Sequence, residues 1–239
     1  MRRKIVITGA SSEIGLAICE KVICEDDNVI LQCCKHQQKC VPIKEKLGDA
    51  CQLLSVDFTN PQETDDFCKA LDQVDILINV AAVTITDLLA NLTDKNIDDM
   101  LNVNILALIK ICRAVIRRMV VKRKGIIINI SSIAAQRGNR GQTVYAGTKG
   151  FVESFTRSLA AEYGKRNIRI VCVAPGPIEA GSLNQLLGYA ADEVKNSLVS
   201  PRLGTPDDVA AAVAFLCSEE ASFINGVCLA VNGGFCQGL

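Results

Sequence analysis

The chain has 239 residues, 49% of them hydrophobic, with 26 Lys and Arg against 26 Asp and Glu. That length suits one sizeable core and is short for two, and a net charge of zero leaves no field to gather nucleic acid or an anionic membrane surface. No apolar run approaches the ~20 residues that span a bilayer, and the basic start Met1-Arg2-Arg3-Lys4 leads only into Ile5 to Ile7 before turn residues, too little for a secretory signal, so a cytoplasmic protein is expected.

The first predicted strand, Lys4–Thr8, runs into "TGASSEIG" and a helix over Ile14–Cys24. Strands follow at Asn28–Cys33 and Cys51–Val56, then a helix over Pro61–Leu71 and a strand over Asp75–Asn79. A long helix is predicted over Asn96–Val121, a strand over Gly125–Ser131, a second long helix over Val144–Arg166 and a strand over Ile168–Ala174. "GTPDD", Gly204–Asp208, is a strong helix start, with Thr205 as cap, Pro206 in the first turn and acids facing the dipole. That helix runs Pro206–Cys217, and a last strand is predicted over Gly226–Val231. The strands lack polar/apolar alternation, as expected when helices cover both faces. Repeated βα units with right-handed crossovers predict an α/β fold, a doubly wound parallel sheet of Rossmann type forming one domain over residues 1–239. In such a sheet the ligand crevice lies beyond the carboxyl ends of the strands, at the switch point.

After the first strand, Gly9 permits a tight turn, and Ser11 and Ser12 offer hydroxyls and backbone N–H groups. Gly15 lets the helix opening at Ile14 lie close to the sheet, with its N-terminus facing a pyrophosphate. A glycine-rich turn alone also fits a plain βα connection. Its place after the first strand of a βαβ array is what favours a dinucleotide. The second strand ends in Cys33-Cys34-Lys35-His36, without the acid that holds a ribose 2′-OH in NAD enzymes. Lys35 suits a 2′-phosphate instead, which favours NADP(H); the plainer alternative is a solvated lysine. Glu13 pulls the other way, since a carboxylate near the ribose repels a 2′-phosphate, although at a helix start it also suits the dipole and can point to solvent.

Twelve cysteines and one histidine, His36, invite a metal or disulfide reading that the spacing does not support. The close pairs are Cys33-Cys34 and Cys19/Cys24, and there is no CxxC. Zinc needs clustered thiolates, so no metal site is expected. Most cysteines stand among aliphatic residues and read as reduced core hydrophobes in a reducing compartment.

"INISSIAAQRGNRGQTVYAGTKG" carries the chemistry. Tyr145 and Lys149 are four apart and share one face of a helix, and Ser132 stands at the end of the fifth strand, where the crevice is expected. A free tyrosine titrates near ~10, and an ammonium one turn away favours its phenolate. Tyr145 is therefore the candidate general acid, and Ser132 a hydrogen-bond donor to a carbonyl oxygen. The bland alternative is a chance i,i+4 pair, but the chain has only three tyrosines and this one follows an Ile-Ser-Ser strand end.

With "TGASSEIG", "VDFT", "NVAA", "NVNI", "NISS", "YAGTK", "APGPI" and a late "NGG", the sequence resembles a single-domain short-chain dehydrogenase/reductase over essentially its whole length. The resemblance implies a catalytic set of Ser132, Tyr145 and Lys149, with Asn104 anchoring a proton-relay water. It places Asp57 and Phe58 toward the adenine, Asn79 and Ala81 along the ribose, and Pro175, Gly176 and Ile178 near the nicotinamide. Tyr145 and Lys149 would also touch the cofactor, Lys149 through the nicotinamide ribose. Within the family the chain is most similar to 3-oxoacyl-acyl-carrier-protein reductases, through "RGNRGQTVYAGTKG" and the tail beginning "SPRLGTPDD". That similarity implies NADPH-dependent reduction of a 3-oxoacyl thioester, with Arg123 and Arg166 near the entrance docking the acidic carrier protein. Ordinary charges at helix–strand junctions are the alternative for these two. It also implies a homotetramer built on the two long helices and the C-terminal segment.

Departures from the family pattern are Glu13 for the middle glycine, Val80 and Ala82 in the usual NNAG, and Ala180 where a threonine commonly bonds the nicotinamide amide. Ser182 is a candidate substitute for that hydroxyl, and Gly181–Ser200 for a substrate lid. Two other readings stay open: the same fold acting on a sugar, polyol, steroid or secondary-metabolite ketone, and a cofactor-binding scaffold without turnover.

Overall fold

The computed structural model describes residues 2–180 and 198–235. Among these residues seven strands make one sheet: β1 (Lys4–Thr8), β2 (Asn28–Cys33), β3 (Cys51–Ser55), β4 (Ile76–Asn79), β5 (Gly125–Ile130), β6 (Ile168–Pro175) and β7 (Cys228–Val231). All pairings are parallel and the spatial order is β3-β2-β1-β4-β5-β6-β7. The order reverses between β1 and β4, whose ends pair as Thr8↔Asn79. This is the switch point where a crevice opens.

The missing polar alternation has its expected cause. Ile5 and Ile7 of β1, Leu31 of β2 and Ile78 of β4 pack on one face, beneath α1 (Glu13–Val22) and α7 (Pro206–Cys217). Val6, Ile30, Leu77 and Ile127 pack on the other, beneath α3 (Pro61–Ala70), α5 (Leu108–Lys122) and α6 (Thr143–Tyr163). Successive residues alternate between two dry layers, so most positions of a central strand are apolar, the buried polar ones standing toward the carboxyl ends. Each such Ile or Leu contributes about 1.5–3 kcal/mol on burial.

Three elements differ from expectation. The long helix predicted over Asn96–Val121 begins at Asp94 as α4 (Asp94–Leu101), behind a Thr93 side chain that accepts from Asn96 N. It then passes through a π-helical segment, Asn102–Ala107, before α5. One extra residue per turn rotates the following face, and such segments favour functional sites. A short α2, Val41–Leu47, fills the β2–β3 connection; it lacks a polar cap and is only seven residues long, with Ile43 and Leu47 its packed apolar pair, too little for periodicity to reveal. The helix predicted to reach Arg166 ends at Tyr163, and Gly164–Arg166 is a 3₁₀ turn. Among the described residues no helix is long and apolar enough to cross a membrane.

Candidate active site

The turn after β1 is pinned to three neighbouring strand ends. Thr8 Oγ1 accepts from Val80 N and Ala81 N, both at 3.2 Å, joining β1 to the loop after β4. Gly9 has φ +65°, and a Cβ there would lie 2.7 Å from Ala81 N, so only glycine fits. Ser12 caps α1: its Oγ accepts from Gly15 N at 3.1 Å and donates to Gly9 O at 2.8 Å. Ser11 Oγ donates to Lys35 O at 2.7 Å, tying the turn to the end of β2. Gln32 completes the set, accepting from Gly9 N at 2.9 Å and donating to Val56 O at 2.7 Å. Gln32 was missed from the sequence; its signal is a polar side chain inside "NVILQC" that the structure buries to 1% exposure. Ile14 is half-buried in the first turn of α1, and Glu13 opens that helix on the exposed side.

Lys35 is exposed just past β2. Asp57 lies near it: burial opposes its charge, but bonds from Thr59 N and Thr59 Oγ1 and the charge of Lys35 hold its carboxyl below the usual carboxylate range. A cation and a carboxylate therefore face the same end of the crevice. Two of the expected cofactor residues, Phe58 and Asn79, bury their side chains. The Phe58 ring is core, 3% exposed and edge-on to Phe67 at 5.5 Å between centroids, so it does not face the crevice. The Asn79 amide turns into the sheet, donating to Asn129 Oδ1 at 2.9 Å, and Asn129 donates to Thr156 Oγ1 at 2.9 Å. Its Nδ2 finds partners on the next strand and in Cys112, while its Oδ1 stays buried without a hydrogen-bond partner among the described residues. Ala81 is half-buried beside Gly9.

The reacting groups gather at the carboxyl end of β5. Ser132 Oγ accepts from Ala134 N at 3.1 Å, capping a 3₁₀ turn. Its lone pair is engaged and its O–H remains to donate. Lys149, 3% exposed, reaches back across the strand end to donate to Ile130 O at 2.8 Å. Its Nζ stands 5.8 Å from the centroid of the Tyr145 ring. Among the described residues no carboxylate forms an ion pair with this ammonium, an expensive arrangement in a buried site and a mark of a functional one. One turn on, Glu153 is instead bound by Gln136 Nε2 at 3.0 Å and Ser131 Oγ at 3.3 Å. These three partners were not anticipated.

Asn104 lies in the π segment with three hydrogen bonds on its side chain. Its Oδ1 accepts from Val83 N at 2.8 Å, and its Nδ2 donates to Val83 O at 2.9 Å and Thr148 Oγ1 at 3.0 Å. Thr148 in turn donates to Tyr145 O at 2.7 Å. The amide thus locks the loop after β4 to the helix carrying Tyr145 and Lys149. Asn104→Ala leaves both Val83 groups unpaired, and is expected to cost about 2–4 kcal/mol. Thermal denaturation should show Tm lower by roughly 5–15 °C; an unchanged Tm means that the loop is held by other contacts.

On the far side, Pro175 ends β6 and Gly176 N donates to Val231 O at 2.9 Å. Ile178 is buried in the α1/α7 core layer and bridges to Gly204, so its side chain supports the crevice from below. Ala180 is half-buried against the same layer. Ser182 and most of the expected lid, residues 181–197, lie outside the described residues.

Arg123 and Arg166 do sit together, Arg123 Nη2 donating to Lys165 O at 3.4 Å, but not at this crevice. Arg123 closes α5 just before β5 begins, and Arg166 lies just before β6. Both belong to the amino edge of the sheet, about 20 Å from Ser132 along a six-residue strand. The expectation that they flank the entrance of this chain's own site is therefore corrected.

A switch-point turn with a capped helix start, and a buried lysine beneath a tyrosine, define a nicotinamide-dependent oxidoreductase. The donor set fits the dinucleotide: a helix N-terminus for the pyrophosphate, Lys35 and Asp57 at one end of the crevice and Lys149 at the other. Residues 9–236 match a family model described as "Enoyl-(Acyl carrier protein) reductase". The chain is 35% identical over 233 residues to the 3-oxoacyl-[acyl-carrier-protein] reductase FabG of Vibrio cholerae, covering 96% of this chain and 95% of that one. A solved short-chain dehydrogenase/reductase family protein superposes with TM-score 0.88 at 29% identity, covering 98% of this chain and 97% of that one. So does a structure titled a putative NAD(P) dependent gluconate 5-dehydrogenase from Beutenbergia cavernae with bound NADP, at TM-score 0.90 and 26% identity, covering 98% and 96%. The chain belongs to the short-chain dehydrogenase/reductase family.

Proposed function

We propose that the protein reduces a 3-oxoacyl thioester, carried on acyl carrier protein, to the 3-hydroxyacyl product with NADPH. The observation that carries this is the buried Lys149 ammonium set beneath Tyr145 at the end of β5, beside a Ser132 hydroxyl free to donate. When bound, the nicotinamide supplies a hydride for the ketone carbon. Ser132 donates to the ketone oxygen and steadies the charge developing there. Tyr145 delivers the proton to that oxygen, and Lys149 favours the phenolate left behind. With one of its protons on Ile130 O, Lys149 keeps two others for Tyr145 and the ribose. Both amide protons of Asn104 are spent, on Val83 O and Thr148 Oγ1, so its part in a proton relay is that of an acceptor, through an oxygen of its side chain or of its backbone in the π segment.

The name of the Vibrio cholerae relative supports the thioester substrate. The gluconate 5-dehydrogenase title of a close structural neighbour favours a second reading, a sugar or polyol ketone. Initial rates with acetoacetyl thioester and with 5-ketogluconate, each with NADPH and NADH, separate the two. No NADPH oxidation with the thioester overturns the first.

On this reading the 239 residues form one cytoplasmic domain that assembles as a homotetramer through α5 and α6. Antiparallel pairing of those helices sets the amino edge of one copy beside the crevice of another, the arrangement in which Arg123 and Arg166 serve carrier docking. Lys35 supplies the NADPH preference: Lys35→Asp removes a charge-assisted bond to the 2′-phosphate and should lower the NADPH:NADH preference in kcat/KM about tenfold to a hundredfold. An unchanged ratio means that Lys35 is a solvated surface charge.

A further inference from the structure

Cys33 and Cys40 are seven residues apart, yet the fold brings their sulfurs to 3.5 Å in a buried contact. Cys33 ends β2; the chain then turns through His36, in the left-handed region at φ 56°, into the 3₁₀ turn Gln37–Cys40, which folds Cys40 back over the strand end. Both thiols are 0% exposed, but the cover is thin, with Cys34, Lys35, His36, Gln38 and Lys39 all exposed. Closing to the ~2.05 Å of a disulfide moves the sulfurs together by about 1.5 Å, within reach of side-chain rotation and a small shift of that turn.

The pair also adjoins the cofactor turn. Ser11 Oγ donates to Lys35 O at 2.7 Å, two residues past Cys33, so the glycine turn is anchored on the segment that carries the pair. The contact with Cys40 pulls the Cys33 thiol below the usual thiol range, against its burial. Elsewhere burial pushes thiols up, Cys68 to about 11 and Cys112 and Cys217 to about 12, which leaves them inert.

We propose that Cys33 and Cys40 are a redox-active dithiol whose oxidation by peroxide closes a disulfide and weakens dinucleotide binding at the adjoining Ser11 turn. The Cys33 thiolate attacks one peroxide oxygen, the O–O bond breaks, and a sulfenic acid and hydroxide result. The Cys40 thiol then displaces the sulfenic hydroxyl as water. In total two thiols and one hydrogen peroxide give one disulfide and two waters, and a dithiol reductant reverses the change. Closing the disulfide shifts the turn between Cys33 and Cys40, and with it the Lys35 carbonyl that Ser11 Oγ binds, so the glycine turn loses an anchor at the end of β2. Rare disulfides of reducing compartments are of this switching kind. The effect on binding rests on the dinucleotide reading above; the disulfide does not.

The test exposes the reduced protein to hydrogen peroxide, blocks remaining thiols, maps peptides by mass spectrometry without reduction, and titrates NADPH before and after. The expected result is a Cys33–Cys40 linked peptide and roughly tenfold weaker NADPH binding, both reversed by dithiothreitol. Cys34→Ser should behave as the parent, while Cys40→Ala and Cys33→Ser should lose both effects. Cys33 and Cys40 still alkylated after Cys34 is oxidised, or Cys33 linked elsewhere, overturns the proposal. A disulfide that forms with NADPH affinity unchanged overturns the coupling. A reduced protein that binds no dinucleotide overturns the cofactor reading and the coupling with it, while the linked peptide still decides on the disulfide.

Discussion

Tyr145→Phe is expected to lower kcat by about 10²–10⁴-fold, the contribution of a positioned general acid, with NADPH affinity and Tm nearly unchanged. Phenylalanine keeps the ring that packs over the Lys149 ammonium at 5.8 Å and removes only the hydroxyl. That hydroxyl donates to no other described side chain, so folding does not depend on it. Stopped turnover with retained binding separates this role from a structural one. Lys149→Met is the contrasting case, since it removes the ammonium that Ile130 O holds and that faces the ribose, and it should weaken dinucleotide binding as well. Full turnover in Tyr145→Phe would assign the proton to another group.

What the sequence shows clearly is whatever its local chemistry repeats. Strands covered on both faces are runs such as "KIVIT" and "NVILQC", and their order of appearance with intervening helices leaves few topologies. The Tyr145/Lys149 spacing places both on one helical face without knowledge of the rest. The distant pairings are hidden, because they depend on how separate elements meet. Nothing near Asn79 announces that its amide will turn to Asn129, fifty positions away, instead of to the crevice. Gln32 reads as a stray polar residue until the loops that it ties are placed beside it, and the bonds of Asn104 to Val83 and Thr148 are equally hidden. Arg123 and Arg166 show the opposite error: matching a motif by position gives a residue's identity, while the strand direction decides which edge of the sheet it occupies. The π segment escapes for a further reason, since one inserted residue leaves the apolar pattern of "NVNILALIKIC" continuous in the eye while the helix face turns.

The glycine turn gives the second large expected effect, and there two tendencies oppose one another. Gly15 lies in the first turn of α1, where helix propensity alone makes alanine more stable by roughly 0.5–1 kcal/mol. Yet a Cβ there would stand 2.4 Å from Gly9 O and 2.9 Å from Ala10 Cα, both backbone atoms that cannot rotate away. Relieving such contacts costs typically 1–3 kcal/mol, occasionally more, so the contact outweighs the propensity. Gly15→Ala is therefore expected to lower Tm by about 3–10 °C, where propensity alone would raise it. The relief available is for α1 to withdraw from the turn, which moves Ser12 off Gly9 O and turns the helix N-terminus away from the pyrophosphate. NADPH binding should accordingly weaken by about tenfold or more, and saturating NADPH should recover only part of the lost Tm. Glu13→Gly in the same turn removes a carboxylate from the helix start that faces the pyrophosphate, so it should strengthen NADPH binding more than NADH binding. If Gly15→Ala raises Tm while binding holds, the helix start is not the seat of the dinucleotide, and the site must be sought along the outer edge of β2 and β3.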